Sequence, residues 1–232
     1  MDRDEGSAGR ATAVRTRDAK VSAPRQMTTP RAAGVAGIVF ALLFTASVLT
    51  ARTSLTMDPG GRATGLAGAV GLSGWIVVAY LIPFAGIAFL WFIGVVRDRV
   101  GILEDRFFAT VFLGSGVLFV AMLFASAAVL AALFALESPN AATMDLGRAI
   151  ARSMFYMYAA RSAGVFTIVT STILLRTGAL ARWAGILGLV IGLVLLLSVQ
   201  AFEIIILLFP AWVALLSVLT LAGARAEEAR AA

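Results

Sequence analysis

FFATVFLGSGVLFVAMLFASAAVLAALFAL, from Phe107 to Leu136, contains no charged side chain. About 20 apolar residues at about 1.5 Å rise cross the hydrocarbon layer of a bilayer, so this run predicts a membrane-spanning helix with residues to spare. Such a helix tilts or projects beyond the bilayer. Five more runs follow the same pattern, over 32–51, 74–96, 154–175, 183–200 and 203–223. The fifth and sixth are nearly continuous, but one helix of about 40 residues would overshoot any bilayer, which favours two spans. Composition agrees: the 232 residues are 60% hydrophobic and only 14% charged, with a mean hydropathy of +0.95. A soluble domain carries about 25% charged residues. The sequence therefore predicts an all-α polytopic membrane protein built as a six-transmembrane-helix bundle.

Basic residues set the expected orientation. The segment 1–31 carries Arg3, Arg10, Arg15, Arg17, Lys20, Arg25 and Arg31, which places the amino terminus in the cytoplasm. Alternation then puts fourteen of the nineteen Lys and Arg inside and four outside, namely Arg52, Arg62, Arg148 and Arg152. Arg161 alone falls within a span. The bias requires an even number of spans with both termini cytoplasmic, leaving 1–31 and 224–232 as tails. The first tail has no apolar period and is expected to be disordered. Its charged region is too long for a secretory leader, and no small-residue cleavage site follows the first span.

The net charge of +6 and pI near 10.9 raise the question of nucleic acid. The arginines are spread over loops, where positive-inside topology already accounts for them, so no nucleic-acid partner is implied. The chain has no Cys and no His, which removes thiol nucleophiles, disulfides, the usual zinc ligands and the Ser and His pairing of common hydrolases. Lys20 is its only lysine and lies in the tail, and no phosphate-cradling loop is present. No catalytic or metal motif and no cofactor are implied.

The fourth run is the most polar. Tyr156, Tyr158, Arg161, Ser162, Thr167, Thr170, Ser171 and Thr172 interrupt it, and Tyr158, Arg161 and Val165 share one helical face. A charge at bilayer depth costs a few kcal/mol or more, about 2.5 to 3.5 on insertion scales, and so is paired, snorkels or serves a function. Glu203 begins the sixth span on the same side of the membrane. Two readings stand: Arg161 and Glu203 form an ion pair assisted by Tyr158 and Gln200, or Arg161 snorkels to headgroups while Glu203 caps its helix. Pro83 and Pro210 are candidate hinges. Ala184, Gly188 and Gly192 recur every four residues, a spacing that lets a second helix approach closely, from this chain or from a partner.

PFAGIAFLWFIGVVRDRVGILEDRFFATVFLGSG, Pro83 to Gly116, resembles a group of small multi-spanning membrane proteins of high-GC bacteria with no assigned activity. The resemblance implies a multi-pass protein of the bacterial plasma membrane and supplies no substrate. The partners expected are the lipid bilayer and either another membrane protein or a second copy. Lack of catalytic groups favours a non-enzymatic accessory or scaffold bundle. The alternative is a small transporter or permease using the polar locus at Arg161 and Glu203. A bundle packed solid favours the first, and a polar cavity reaching the midplane favours the second.

Overall fold

The computed structural model describes residues 30–55, 74, 76–100, 106–137, 140–178, 180–197 and 203–231, and every element among them is helical. Helix α1 is Pro30–Leu55, and a wide π-helical turn, Val77–Leu81, leads into α2, Ile82–Val100. Helix α3 is Arg106–Ala135, and α4 is Ala141–Ser153. A second wide turn, Met154–Ala159, joins α4 to α5, Ala160–Thr177. Helix α6 is Arg182–Leu197, and a tight 3-10 turn, Glu203–Leu207, opens α7, Leu208–Ala231. Four stretches are long and apolar enough to cross a membrane: Ala79–Arg97, Phe107–Ala135, Ala141–Thr177 and Ile204–Gly223. Gly34–Thr50 and Arg182–Leu197 are shorter apolar helices.

The stretch Ala141–Thr177 departs from the boundary expected at residue 154 for the fourth span. Its helix starts at Ala141, where the Asn140 side chain accepts a hydrogen bond from the Thr143 backbone N–H at 2.8 Å. That bond caps one of the donors a helix start leaves unsatisfied. The segment AATMDLGRAIARS is amphipathic rather than apolar, burying Gly147 and Ala151 and exposing Asp145 and Arg148. It packs back on α3, with Gly147 against the Leu133 side chain and Ser126 Oγ donating to the Ala151 carbonyl at 2.9 Å. Helices α3 and α4 thus form a hairpin at one end of the bundle.

At the other end, Gly178 stops α5. It has φ +63°, and its N–H donates to the Leu174 carbonyl at 3.1 Å. Only a residue without Cβ takes that left-handed position at no steric cost, so the chain can reverse within a few residues into α6.

The two prolines stand beside the irregular turns. Pro83 has no N–H for the carbonyl four residues earlier, and the wide turn Val77–Leu81 lies just there. Pro210 is the third residue of α7, directly after the 3-10 turn. In a first helical turn its missing donor is not needed.

Helix α1 lies between α2 and α7, α3 runs from α2 to α5, and α6 packs on α5. Five helices send a phenylalanine to one level at the centre. Phe40 and Phe44 of α1, Phe89 of α2, Phe119 of α3, Phe166 of α5 and Phe209 of α7 each have 0% exposure. Phe89 is the hub, with ring centroids 4.7 Å from Phe40, 5.1 Å from Phe119, 5.1 Å from Phe166 and 5.5 Å from Phe209. The last three meet it edge to face, the arrangement the ring quadrupole favours.

Candidate functional site around Arg161

The wide turn before α5 determines how Arg161 is presented. Widening a helix from i→i−4 to i→i−5 bonding leaves a carbonyl open to side-chain donors. Arg161 Nη1 donates to the Met157 carbonyl at 3.4 Å, and Ser162 Oγ donates to the Tyr158 carbonyl at 2.9 Å. The first bond is long and therefore weak. Both carbonyls belong to the turn Met154–Ala159.

Arg161 is half-buried in a groove of about 410 Å³ on the flank of the bundle. Val111, Ser115 and Leu118 of α3 form one wall, and Tyr158, Ser162 and Val165 complete it. Tyr158 and Val165 thus share the face with Arg161 that their spacing predicts. Ser115 Oγ donates to the Val111 carbonyl at 2.6 Å, so its proton is committed to its own helix. Tyr158 is 53% exposed. The groove is an open flank between α3 and α5, away from the phenylalanine axis.

Gln200 lies outside the described residues. Glu203 heads the 3-10 turn and is described through its backbone alone. The ion pair expected between Arg161 and Glu203 therefore falls outside the described side chains.

A second cluster joins α5, α6 and α7. A Cβ at Gly188 would meet Ser171 Oγ and Trp212, and one at Gly192 would come 2.9 Å from the Gly164 carbonyl and 2.6 Å from Ile168. Ala184 is wholly buried, and its carbonyl accepts from Trp212 Nε1 at 3.3 Å. The face carrying Ala184, Gly188 and Gly192 is thus occupied by α5 and α7 of the same chain. Ser171 Oγ is buried there without a hydrogen-bond partner among the described residues. On the Arg176 side, the guanidinium lies over the Phe108 ring at 4.4 Å from its centroid and ties α5 to α3.

Sequence reasoning missed the phenylalanine hub, Gly164 and Trp212. Phenylalanines near the middle of five helices were visible as a pattern, but which rings meet is decided by tertiary packing. Gly164 stands alone in a Ser- and Thr-rich segment, with no repeat to mark it. No group of three His, Cys, Asp or Glu suited to a metal ion occurs among the described residues. In comparisons with known proteins, no family model, no curated protein and no solved structure matches the chain.

Proposed function

We propose that the protein is a multi-pass bundle of six spans with both termini cytoplasmic, seated in a bacterial plasma membrane, and that it serves as a non-enzymatic accessory or scaffold for another membrane component. The filled axis carries this reading. Phe40, Phe89, Phe119, Phe166 and Phe209 occupy the level through which a solute would pass, each with 0% exposure. The polar groups of Arg161, Ser115 and Ser162 line a lateral groove instead. Their chemistry addresses lipid or a neighbouring helix. Six spans are supported by the placement of α1 between α2 and α7 and of α6 on α5, which makes both shorter helices integral to the bundle. The cytoplasmic termini rest on the distribution of basic residues, and the bacterial membrane on the resemblance of Pro83 to Gly116.

A photo-crosslinking residue at Leu118, in the groove, is expected to give one discrete protein adduct in native membranes. The same residue at Ile186, exposed on α6, should give none. Indistinguishable adducts from both positions, or lipid adducts alone, would count against the scaffold role.

Within this reading, Arg161 and Glu203 hold the turn between α6 and α7 against α5. Gly164, less than one turn from Arg161, lies against Gly192, Leu195 and Leu196, so Arg161 stands level with the last residues of α6. Arg161→Glu or Glu203→Arg alone should lower the thermal midpoint in detergent, and the exchanged double variant should recover most of the loss. A double variant as unstable as the singles combined would rule the pair out.

A further inference from the structure

Among the described residues the Arg161 guanidinium makes one hydrogen bond, the long one to the Met157 carbonyl, and no acidic side chain is among the residues that line its groove. A guanidinium carries more N–H donors than one backbone carbonyl and one carboxylate can occupy, so donors remain whether or not Glu203 reaches it. Tyr158 lines the same groove with an exposed side chain, and its hydroxyl has no hydrogen-bond partner among the described residues. The Ser115 and Ser162 hydroxyls are committed: they donate to the Val111 and Tyr158 carbonyls and are buried. With those protons bonded, the floor between Val111 and Val165 behaves as an apolar surface. The groove therefore offers a cation and a phenol at one end and an apolar trough beyond them.

Depth identifies the ligand. Arg176, stacked on Phe108 beside the start of the Phe107–Ala135 stretch, marks one edge of the hydrocarbon. At about 1.5 Å per residue, Arg161 lies about 22 Å along α5 from Arg176, about 8 Å short of the opposite edge of a layer about 30 Å thick. Helical side chains lean toward the amino end of their helix, here the nearer edge, and the bond to Met157 has Arg161 doing so. A long arginine side chain closes most of that distance and brings its guanidinium to the level of the headgroup phosphates. Val165 lies one turn deeper, and Val111 stands across the groove from it on α3. The trough thus descends from the phosphate level toward the midplane, which is the path of an acyl chain. One molecule that carries an anion and a chain fits both ends, in either orientation of the bundle in the membrane.

We propose that the groove between α3 and α5 is a binding site for one phospholipid of the leaflet on the hairpin side, with its phosphate diester on Arg161 and Tyr158 and one acyl chain in the trough along Val165 and Val111. The guanidinium and the phenol donate to the non-bridging oxygens, and the chain fills the gap that α3 and α5 leave between them. Such a lipid belongs to the bundle as a wedge between two helices. Leu118, 49% exposed at the rim, stays open to a neighbouring helix, so the site stands whether or not the scaffold reading is right. Lipid adducts alone from Leu118 would remove the scaffold role and leave the lipid site in place.

The test is thermal unfolding of the full chain in nonionic detergent, titrated with phosphatidylglycerol, with diacylglycerol or with inorganic phosphate. Phosphatidylglycerol should raise the midpoint by about 3 °C or more at saturation, and diacylglycerol, which has the chains without the phosphate, by much less. The apparent affinity for phosphatidylglycerol should fall at least about tenfold in Arg161→Gln. If that variant fails to fold, Val165→Trp keeps Arg161 and fills the trough, and it should lose affinity to a similar degree. Arg225→Gln, near the other end of the bundle, should respond as the wild type does. Stabilisation by inorganic phosphate that is lost in Arg161→Gln and kept in Val165→Trp would assign the site to a free anion and overturn the lipid. Equal responses to diacylglycerol and phosphatidylglycerol in the wild type, or an equal response to phosphatidylglycerol in wild type and both variants, would also overturn the proposal and leave the groove to a neighbouring helix.

Discussion

Replacing Gly164 with leucine should force α5 and α6 apart and remove the folded protein from detergent extracts. A Cβ at this position would lie 2.9 Å from the Gly192 carbonyl oxygen, 3.0 Å from the Leu196 backbone nitrogen and 3.2 Å from Leu195 Cβ. Backbone atoms cannot rotate out of the way, so the helices themselves must separate. Alanine alone should cost about 1 to 3 kcal/mol, the usual range for an overpacked core, and leucine more. The separation would also disturb Trp212, whose Nε1 bond to the Ala184 carbonyl depends on α6 remaining in place. Gly114 is the control, since a Cβ there meets nothing within 4 Å. Gly114→Leu should unfold at or slightly above the wild-type midpoint, because it relieves the helix cost of glycine, about 1 kcal/mol. Gly164→Ala and Gly192→Ala act on one close approach, so the double variant should lose less than the sum of the singles. Size-exclusion profiles of heated detergent extracts read all five. A monodisperse Gly164→Leu protein with an unchanged midpoint would show that the two backbones are not in contact.

The helical class and the longest span were legible because hydropathy alone signals them. Phe107–Ala135 falls within one residue of the run at 107–136. The start of the fourth helix was not, because AATMDLGRAIARS is amphipathic and falls below any apolar threshold; only Asn140 as a cap and the spacing of Gly147 and Ala151 mark it. The wide turns were hidden for another reason. Val77–Leu81 goes with Pro83, but Met154–Ala159 has no proline and exists where its carbonyls find donors in Arg161 and Ser162, a balance that local sequence does not declare. Four-residue spacing named the face of Ala184, Gly188 and Gly192, but not Ser171, Ile168 and Trp212, which stand on it. At the polar locus, spacing placed Tyr158, Arg161 and Val165 together. It said nothing of Ser115 or Leu118, because both lie more than forty positions from Arg161 in sequence.

Phe89→Ala should be the most destabilising single truncation at the centre. Phe89 touches Phe40, Phe92, Phe119, Phe166 and Phe209, and none of its ring is exposed. In a membrane the unfolded alternative keeps this side chain in hydrocarbon, so little transfer energy is at stake; what is lost is contact. A residual cavity of about 100 Å³ at about 24 cal/mol per Å³ costs about 2.4 kcal/mol, and lost edge-to-face pairs add about 0.5 to 1.5 kcal/mol each if neighbouring rings do not re-form them. A total of about 3 kcal/mol or more is expected, against less than about 1.5 kcal/mol for Phe89→Leu, which keeps most of the volume. Trp91 supplies the contrast two residues away: at 71% exposure its ring faces the surroundings, and Trp91→Ala should change stability by about 0.5 kcal/mol or less. Denaturant titration in mixed micelles measures all three. Phe89→Ala no weaker than Trp91→Ala would mean that the rings do not bear on one another, and the scaffold reading would lose the filled axis on which it rests. The large loss, together with vesicles of the variant that remain tight to protons, would show that the new void is closed above and below. A closed void fits an axis built for rigidity, as the proposed scaffold role requires.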